Sequence, residues 1–137
     1  MPYSLIDHTA DIGIRVRSAT AEALFAEAAA AMFDLICDRR QITPDNRRCI
    51  KVAGSDWPDL MVNWLRELLY LFSGEMQLVK SVQIRQLEAY HIRARADIAA
   101  MDAGHCAIRH EIKAVTYHGI TAGPVADGWE AVVIFDV

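Results

Sequence analysis

The spacing of hydrophobic positions changes several times along the chain, and each change predicts an element. From Ile12 to Arg17 the residues alternate, with Ile12, Ile14 and Val16 on one face and Gly13, Arg15 and Arg17 on the other. That period predicts a half-buried strand, and it puts Asp11 on the arginine face. Tyr3 to Ile6 predicts a short strand before it, joined through the polar turn Asp7-His8-Thr9-Ala10-Asp11. Beyond Thr20, a plausible N-cap, Leu24, Phe25, Ala28, Met32, Leu35 and Ile36 recur at spacings of three and four, which predicts an amphipathic helix through Ile36.

The polar stretch Arg39 to Arg48, with Pro44 and Asn46, reads as a loop before a short strand around Ile50 to Ala53. A second helix follows, capped by Asp56 with Pro58 in its first turn and ending near Ser73-Gly74. Leu60, Met61, Trp64, Leu65, Leu68, Leu69 and Phe72 make it apolar around most of its circumference, as expected of a central buried helix. The remainder reads as strands: Val79 to Leu87, Tyr90 to Asp97, Glu111 to Tyr117 and Trp129 to Asp136. The order predicts an α+β fold, with two helices packed against an antiparallel or mixed β-sheet. No repeat, low-complexity tract or linker interrupts the 137 residues, so a single domain over 1–137 is expected.

Composition narrows the function classes. A hydrophobic content of 53% implies either a well-filled core or apolar surface that a partner covers. No apolar run approaches the roughly 20 residues that span a bilayer. The first residues lack the basic start and apolar stretch of a signal peptide, so the expected location is cytoplasmic. A net charge of −4 weighs against tight direct RNA binding, which comes mainly from Lys and Arg neutralising phosphates; RNA is expected to be held by a protein partner. Cys37, Cys49 and Cys106 are odd in number and widely spaced, so they are expected to be buried thiols without disulfides or structural zinc.

Three stretches carry candidate chemistry. Asp7-His8-Thr9-Ala10-Asp11 places two carboxylates and an imidazole in five residues, although a capped turn uses the same residue types. Asp136 ends an apolar strand on the face of Val132 and Ile134, where burial of a carboxylate needs a cation or hydrogen bonds; a solvated strand end is the alternative. Lys113, within His110 to His118, is either a functional amine or an outward lysine guarding an edge strand. The histidines His8, His91, His105, His110 and His118 show no zinc-site spacing. Walker loops, dinucleotide-binding turns and nucleophile elbows are absent too. The pairs Arg39-Arg40 and Arg47-Arg48 suit RNA, an acidic partner surface or plain solvent.

Together, Asp7-His8-Thr9-Ala10-Asp11-Ile12-Gly13-Ile14, Ala31-Met32-Phe33, Trp64 to Leu71, Ile112 to His118 and the terminal Ile134-Phe135-Asp136-Val137 resemble the archease family along the whole chain. The chain departs from that family's pattern at Gly119 and in the Ala- and Gly-rich stretch Asp97 to Arg109. The resemblance implies a metal-binding accessory protein, not an enzyme. Its expected partner is the GTP-dependent ligase that joins an RNA 3′-phosphate or 2′,3′-cyclic phosphate to a 5′-hydroxyl in tRNA splicing or RNA repair, and its expected effect is to promote guanylylation and multiple turnover. Carried over by position, Asp11, Asp136 and Val137 are the implied metal ligands, with Lys113 a functional residue beside them and Asp7 and His8 supporting. The implied ion is Ca²⁺, and oxygen ligands suit Mg²⁺ or Mn²⁺ as well. Two other readings stay open. One is a metal-dependent hydrolase in which His8 or Lys113 moves protons. The other is a general chaperone of RNA-processing proteins.

Overall fold

Alternation in the first strands and the three-four spacing of the helices both carry through to the fold, which is a computed structural model describing residues 3–7, 11–101 and 106–137, the side chain of Asp7 excepted. Strands β1 (Tyr3–Asp7) and β2 (Asp11–Ser18) lead into helix α1 (Ala21–Ile36). The Thr20 hydroxyl accepts from the Ala23 N–H at 3.1 Å, satisfying one of the donors that a helix start leaves unpaired. After β3 (Asn46–Ala53), the Asp56 carboxylate caps α2 (Trp57–Ser73) in the same way, accepting from the Asp59 N–H at 2.9 Å. The chain then runs through β4 (Gln77–Glu88), β5 (His91–Ala100), β6 (Ala114–Val115), β7 (Thr121–Val125) and β8 (Gly128–Asp136).

These strands form two sheets, and every pairing is antiparallel. One sheet runs β1-β2-β8, with β6 and β7 both paired to β8; the other runs β3-β5-β4. Both helices pack against both sheets, so one core joins all layers. Trp64, Phe25, Phe33 and Phe135 are its largest fully buried side chains. The Trp64 indole N–H donates to the Phe25 carbonyl at 2.9 Å, so the bulkiest core group carries no unpaired donor and ties α2 to α1. At the core's edge Trp57 packs edge-on against Trp129 and Tyr90, each with ring centroids 4.9 Å apart, which links the two sheets. No described helix is long and apolar enough to cross a membrane.

Gly54 sits where β3 turns into α2. A Cβ there would lie 2.5 Å from the Leu60 amide nitrogen and 2.6 Å from its Cα, both backbone atoms that cannot swing aside. Gly54→Ala is therefore expected to push the first turn of α2 off the sheet and to destabilise the fold by about 1–3 kcal/mol in urea unfolding. A midpoint equal to wild type would show that the turn yields without cost.

Several expectations need correction. The segment from Arg39 to Arg48 is not one loop: Arg39–Gln41 forms a 3-10 turn capped by Asp38, and β3 begins at Asn46. The strand expected from Glu111 to Tyr117 shrinks to Ala114–Val115, and Thr121–Val125 adds a strand that its Gly and Pro residues concealed. Only Cys37 of the three cysteines is buried; Cys49 is exposed and Cys106 half-buried. Burial pushes the Cys37 thiol up to about 12, which leaves it a poor nucleophile.

Candidate functional site

The pairing of β2 with β8 places Asp11 directly opposite Asp136, followed by Gly13 opposite Ile134, Arg15 opposite Val132 and Arg17 opposite Glu130. Opposed residues of an antiparallel pair share a face and have Cα atoms about 4.5–5.5 Å apart. Ile14, Val16, Val133 and Phe135 take the helix-covered face, so the two carboxylates sit on the outer one. The face of Val132 and Ile134 is thus not the helix-covered side. Ile134 is nonetheless buried there, because Gly13 opposite it has no side chain: a Cβ at Gly13 would come within 2.7 Å of the Ile134 Cδ1.

Asp11 is half-buried and Asp136 exposed. Neither carboxylate makes an ion pair or a side-chain hydrogen bond among the described residues. Like charges directly across a ladder repel, and among the described residues no ion pair offsets this one. On the other side of Asp136, the Lys113 N–H donates to its carbonyl at 2.8 Å and Ala114 pairs with it in β6. The Lys113 backbone is thereby tied to that of Asp136, while Ala114 is the residue that shares the carboxylates' face, and the Lys113 side chain is exposed. Val137 follows at the sheet end and is also exposed. Of the expected site residues, Asp11 and Asp136 are thus brought together with Val137 beside them, and Lys113 reaches them through its backbone. His8 and the side chain of Asp7 lie outside what is described. Among the described residues no group of three or more His, Cys, Asp or Glu is placed to hold a metal ion.

Residues to which the sequence reading gave no individual role hold this end together. Arg66 on α2 donates through Nε to the Val115 carbonyl at 3.1 Å and lies over the Tyr117 ring, 4.7 Å from its centroid. The Tyr117 hydroxyl donates to Asp59 at 2.8 Å. The Asp59 carboxyl is held below its usual range by the Ser55 N–H and by that tyrosine. Thr116 donates to the Ile134 carbonyl through both its N–H and its hydroxyl. Gly119, in the turn that follows, has a φ of +65°, which favours a residue without Cβ. Arg66 and Tyr117 fall in two separate motif stretches, and only their contact shows that they act on one strand.

The arginine pairs separate into different roles. Arg39 donates to Asp34 and to the Lys80 carbonyl, while the Lys80 amine returns a bond to the Arg39 carbonyl at 2.7 Å. Arg48 pairs with Glu75 at 3.1 Å, and Arg47 lies on a sheet face 3.8 Å from Asp97. Arg40 makes bonds of 2.9 and 2.8 Å to Asp38, and these hold the Asp38 carboxyl at about 2, down from 3.8. A depressed carboxyl contributes stability above its unfolded pKa, and that contribution is lost as pH falls through about 2. Carbon-detected NMR is expected to show Asp38 ionised at pH 3, with the midpoint returning toward 3.8 in Arg40→Ala. The same midpoint in both proteins would assign the shift to another group.

Comparisons with known proteins follow the whole chain. Residues 3–137 match the family model described as the archease protein family (MTH1598/TM1083). A protein archease from Methanosarcina barkeri is 37% identical over 139 residues, covering 98% of this chain and 95% of that one. One from Methanopyrus kandleri is 32% identical and covers 100% of both. Among solved structures, protein 1598 of Methanobacterium thermoautotrophicum superposes with a TM-score of 0.82 at 26% identity, covering 99% of each chain. A Thermotoga maritima protein, described as an archease and possible chaperone, shares the fold with a TM-score of 0.64 at 19% identity, covering 96% of this chain and 94% of that one.

Proposed function

Because the chain belongs to the archease family, we propose that it is an accessory protein that holds a divalent cation at Asp11 and Asp136 and activates an RNA ligase, promoting guanylylation and multiple turnover in tRNA splicing or RNA repair. The observation that carries the site assignment is the register: two carboxylates 125 positions apart in sequence stand opposite each other with no cation among the described residues paired to either. Carboxylate oxygens suit a hard ion, Ca²⁺ foremost and Mg²⁺ or Mn²⁺ as well. Val137 supplies a further main-chain or terminal oxygen. A bound divalent ion would neutralise the opposed charges and leave coordination positions for groups of a partner. Lys113, whose N–H bonds the Asp136 carbonyl, would contact a phosphate or favour the carboxylates' charged forms. Asp7 and His8 belong to the same expected site.

The test is ligation by the cognate GTP-dependent RNA ligase with and without this protein. Accumulation of the guanylylated ligase and several turnovers per ligase molecule are expected only when it is present. A ligase that turns over equally well alone overturns the proposal. One observation favours a second reading, a chaperone: Tyr70 in the last turn of α2 and Met76 just beyond it are 57% and 58% exposed. Suppression of aggregation of unrelated proteins, measured by light scattering, would support it.

A further inference from the structure

The outer face of the β3-β5-β4 sheet carries a charge opposite to that of the whole chain. Its register sets Arg47 opposite Asp97, Cys49 opposite Arg95, Lys51 opposite Arg93 and Ala53 opposite His91, while β4 adds Ser81, Gln83, Gln86 and Glu88 on the far side. Ile50, Ile92, Ala94 and Ala96 alternate onto the helix-covered face, which leaves the polar set to solvent. Arg85, the extra residue of a bulge in β4, is exposed beside them. The face thus gathers Arg47, Lys51, Arg85, Arg93 and Arg95 against Asp97 and Glu88, in a chain whose net charge is −4.

These cations are not consumed by the fold. Lys51, Arg85 and Arg93 make no ion pair or side-chain hydrogen bond among the described residues. Lys51 stands directly opposite Arg93, a like-charge pairing that costs stability in the free protein. Arg95 donates through Nη2 to Gln83 at 2.7 Å, yet its Nε is buried with no hydrogen-bond partner and lies 3.9 Å from the nearest Asp97 oxygen. A concavity of about 770 Å³ opens at the turn end of the face, where Lys51, His91 and Arg93 line it together with Glu88 and the apolar Val52 and Ile92.

We infer that this face binds the phosphate backbone of a single-stranded nucleic acid without reading its bases. The exposed large hydrophobic residues of the described chain all lie elsewhere, so the face lacks the apolar anchors that a protein interface needs at its centre. It has no aromatic platform for stacked bases either, which leaves contacts to phosphates. Three strands spaced about 4.8 Å apart give a width of roughly 10 Å, narrow for a duplex and suited to one strand. Arg93 and Arg95, two residues apart, set two cations about 6.8 Å apart on the central strand, close to the spacing of phosphates along one strand. The choice of RNA over DNA rests on the ligase reading above; the phosphate contacts do not. The expectation that a protein partner alone holds RNA was based on net charge, which averages over faces that differ in sign.

Fluorescence anisotropy of a labelled oligouridylate with the full chain tests this, in EDTA and without ligase, so that neither metal nor partner bridges. Binding is expected at low salt and weakens as salt rises, by about 0.7 in the log–log slope for each phosphate contact. The double variant Lys51→Ala/Arg93→Ala is expected to lower that slope by about 1.4 and the affinity roughly tenfold, while Arg40→Ala leaves both unchanged. Asp136→Ala is expected to bind RNA as wild type does, which separates failure here from failure of the ligase reading. Equal binding of oligothymidylate supports phosphate recognition. No binding by wild type, undiminished binding by a folded double variant, or equal competition by polyglutamate each overturns the inference.

Discussion

Asp136→Ala is expected to abolish stimulation of the ligase while raising, not lowering, the stability of the metal-free protein. The sign follows from the register. Asp136 faces Asp11 across the β2–β8 ladder, and removing one of two directly opposed carboxylates relieves repulsion. Asp136 is exposed and its backbone bonds, including the one from the Lys113 N–H, do not depend on its side chain. Thermal melts should therefore place the variant at or above wild type in EDTA. Added Ca²⁺ reverses the order, since an ion that binds only the folded state stabilises it by about 2.7 kcal/mol at a hundredfold excess over its dissociation constant. The variant, left with one carboxylate of the pair, should gain little. Asp11→Ala should repeat the pattern from the neighbouring strand. Equal calcium responses in wild type and both variants would remove the site from these residues, whatever the ligase does.

Trp64→Ala is expected to be the most damaging single substitution outside the site. Trp64 is fully buried between the helices and the sheets, so its loss leaves a large cavity and deletes the hydrogen bond to the Phe25 carbonyl. Truncating a buried aromatic of this kind costs about 3–5 kcal/mol. For a domain of this size the unfolding midpoint should fall by roughly 10–20 °C, measurable by circular dichroism. Trp64→Phe keeps most of the apolar volume and should cost distinctly less. A loss below about 1 kcal/mol for the alanine variant would mean that the core collapses to fill the space.

The two effects differ in kind. Trp64 contributes to the fold through packing that the apolar periodicity of α2 records, whereas the opposed Asp11 and Asp136 repel each other, a cost that the proposed cation would offset. Natural chains keep such locally unfavourable features where function needs them.

What the sequence by itself determined is what depends on neighbours a few residues away. Both helices, their Thr20 and Asp56 caps, the Ile12–Val16 alternation and the α+β class all follow from local spacing, because an amphipathic period records which face will be covered. The family also was legible, since its motifs are short stretches in order along the chain. Tertiary structure decided the rest. It split the strands into two antiparallel sheets, shortened the 111–117 strand to Ala114–Val115 beside β8, and recruited Thr121–Val125 to the same edge despite Gly123 and Pro124. It turned the outer carboxylates of β2 and β8 into neighbours and put Arg66 of α2 onto Tyr117. It also gathered the basic residues of three strands onto one face, a segregation hidden within a net charge of −4. Register and sheet order are long-range choices, made by how whole faces pack, and no window of adjacent residues contains them.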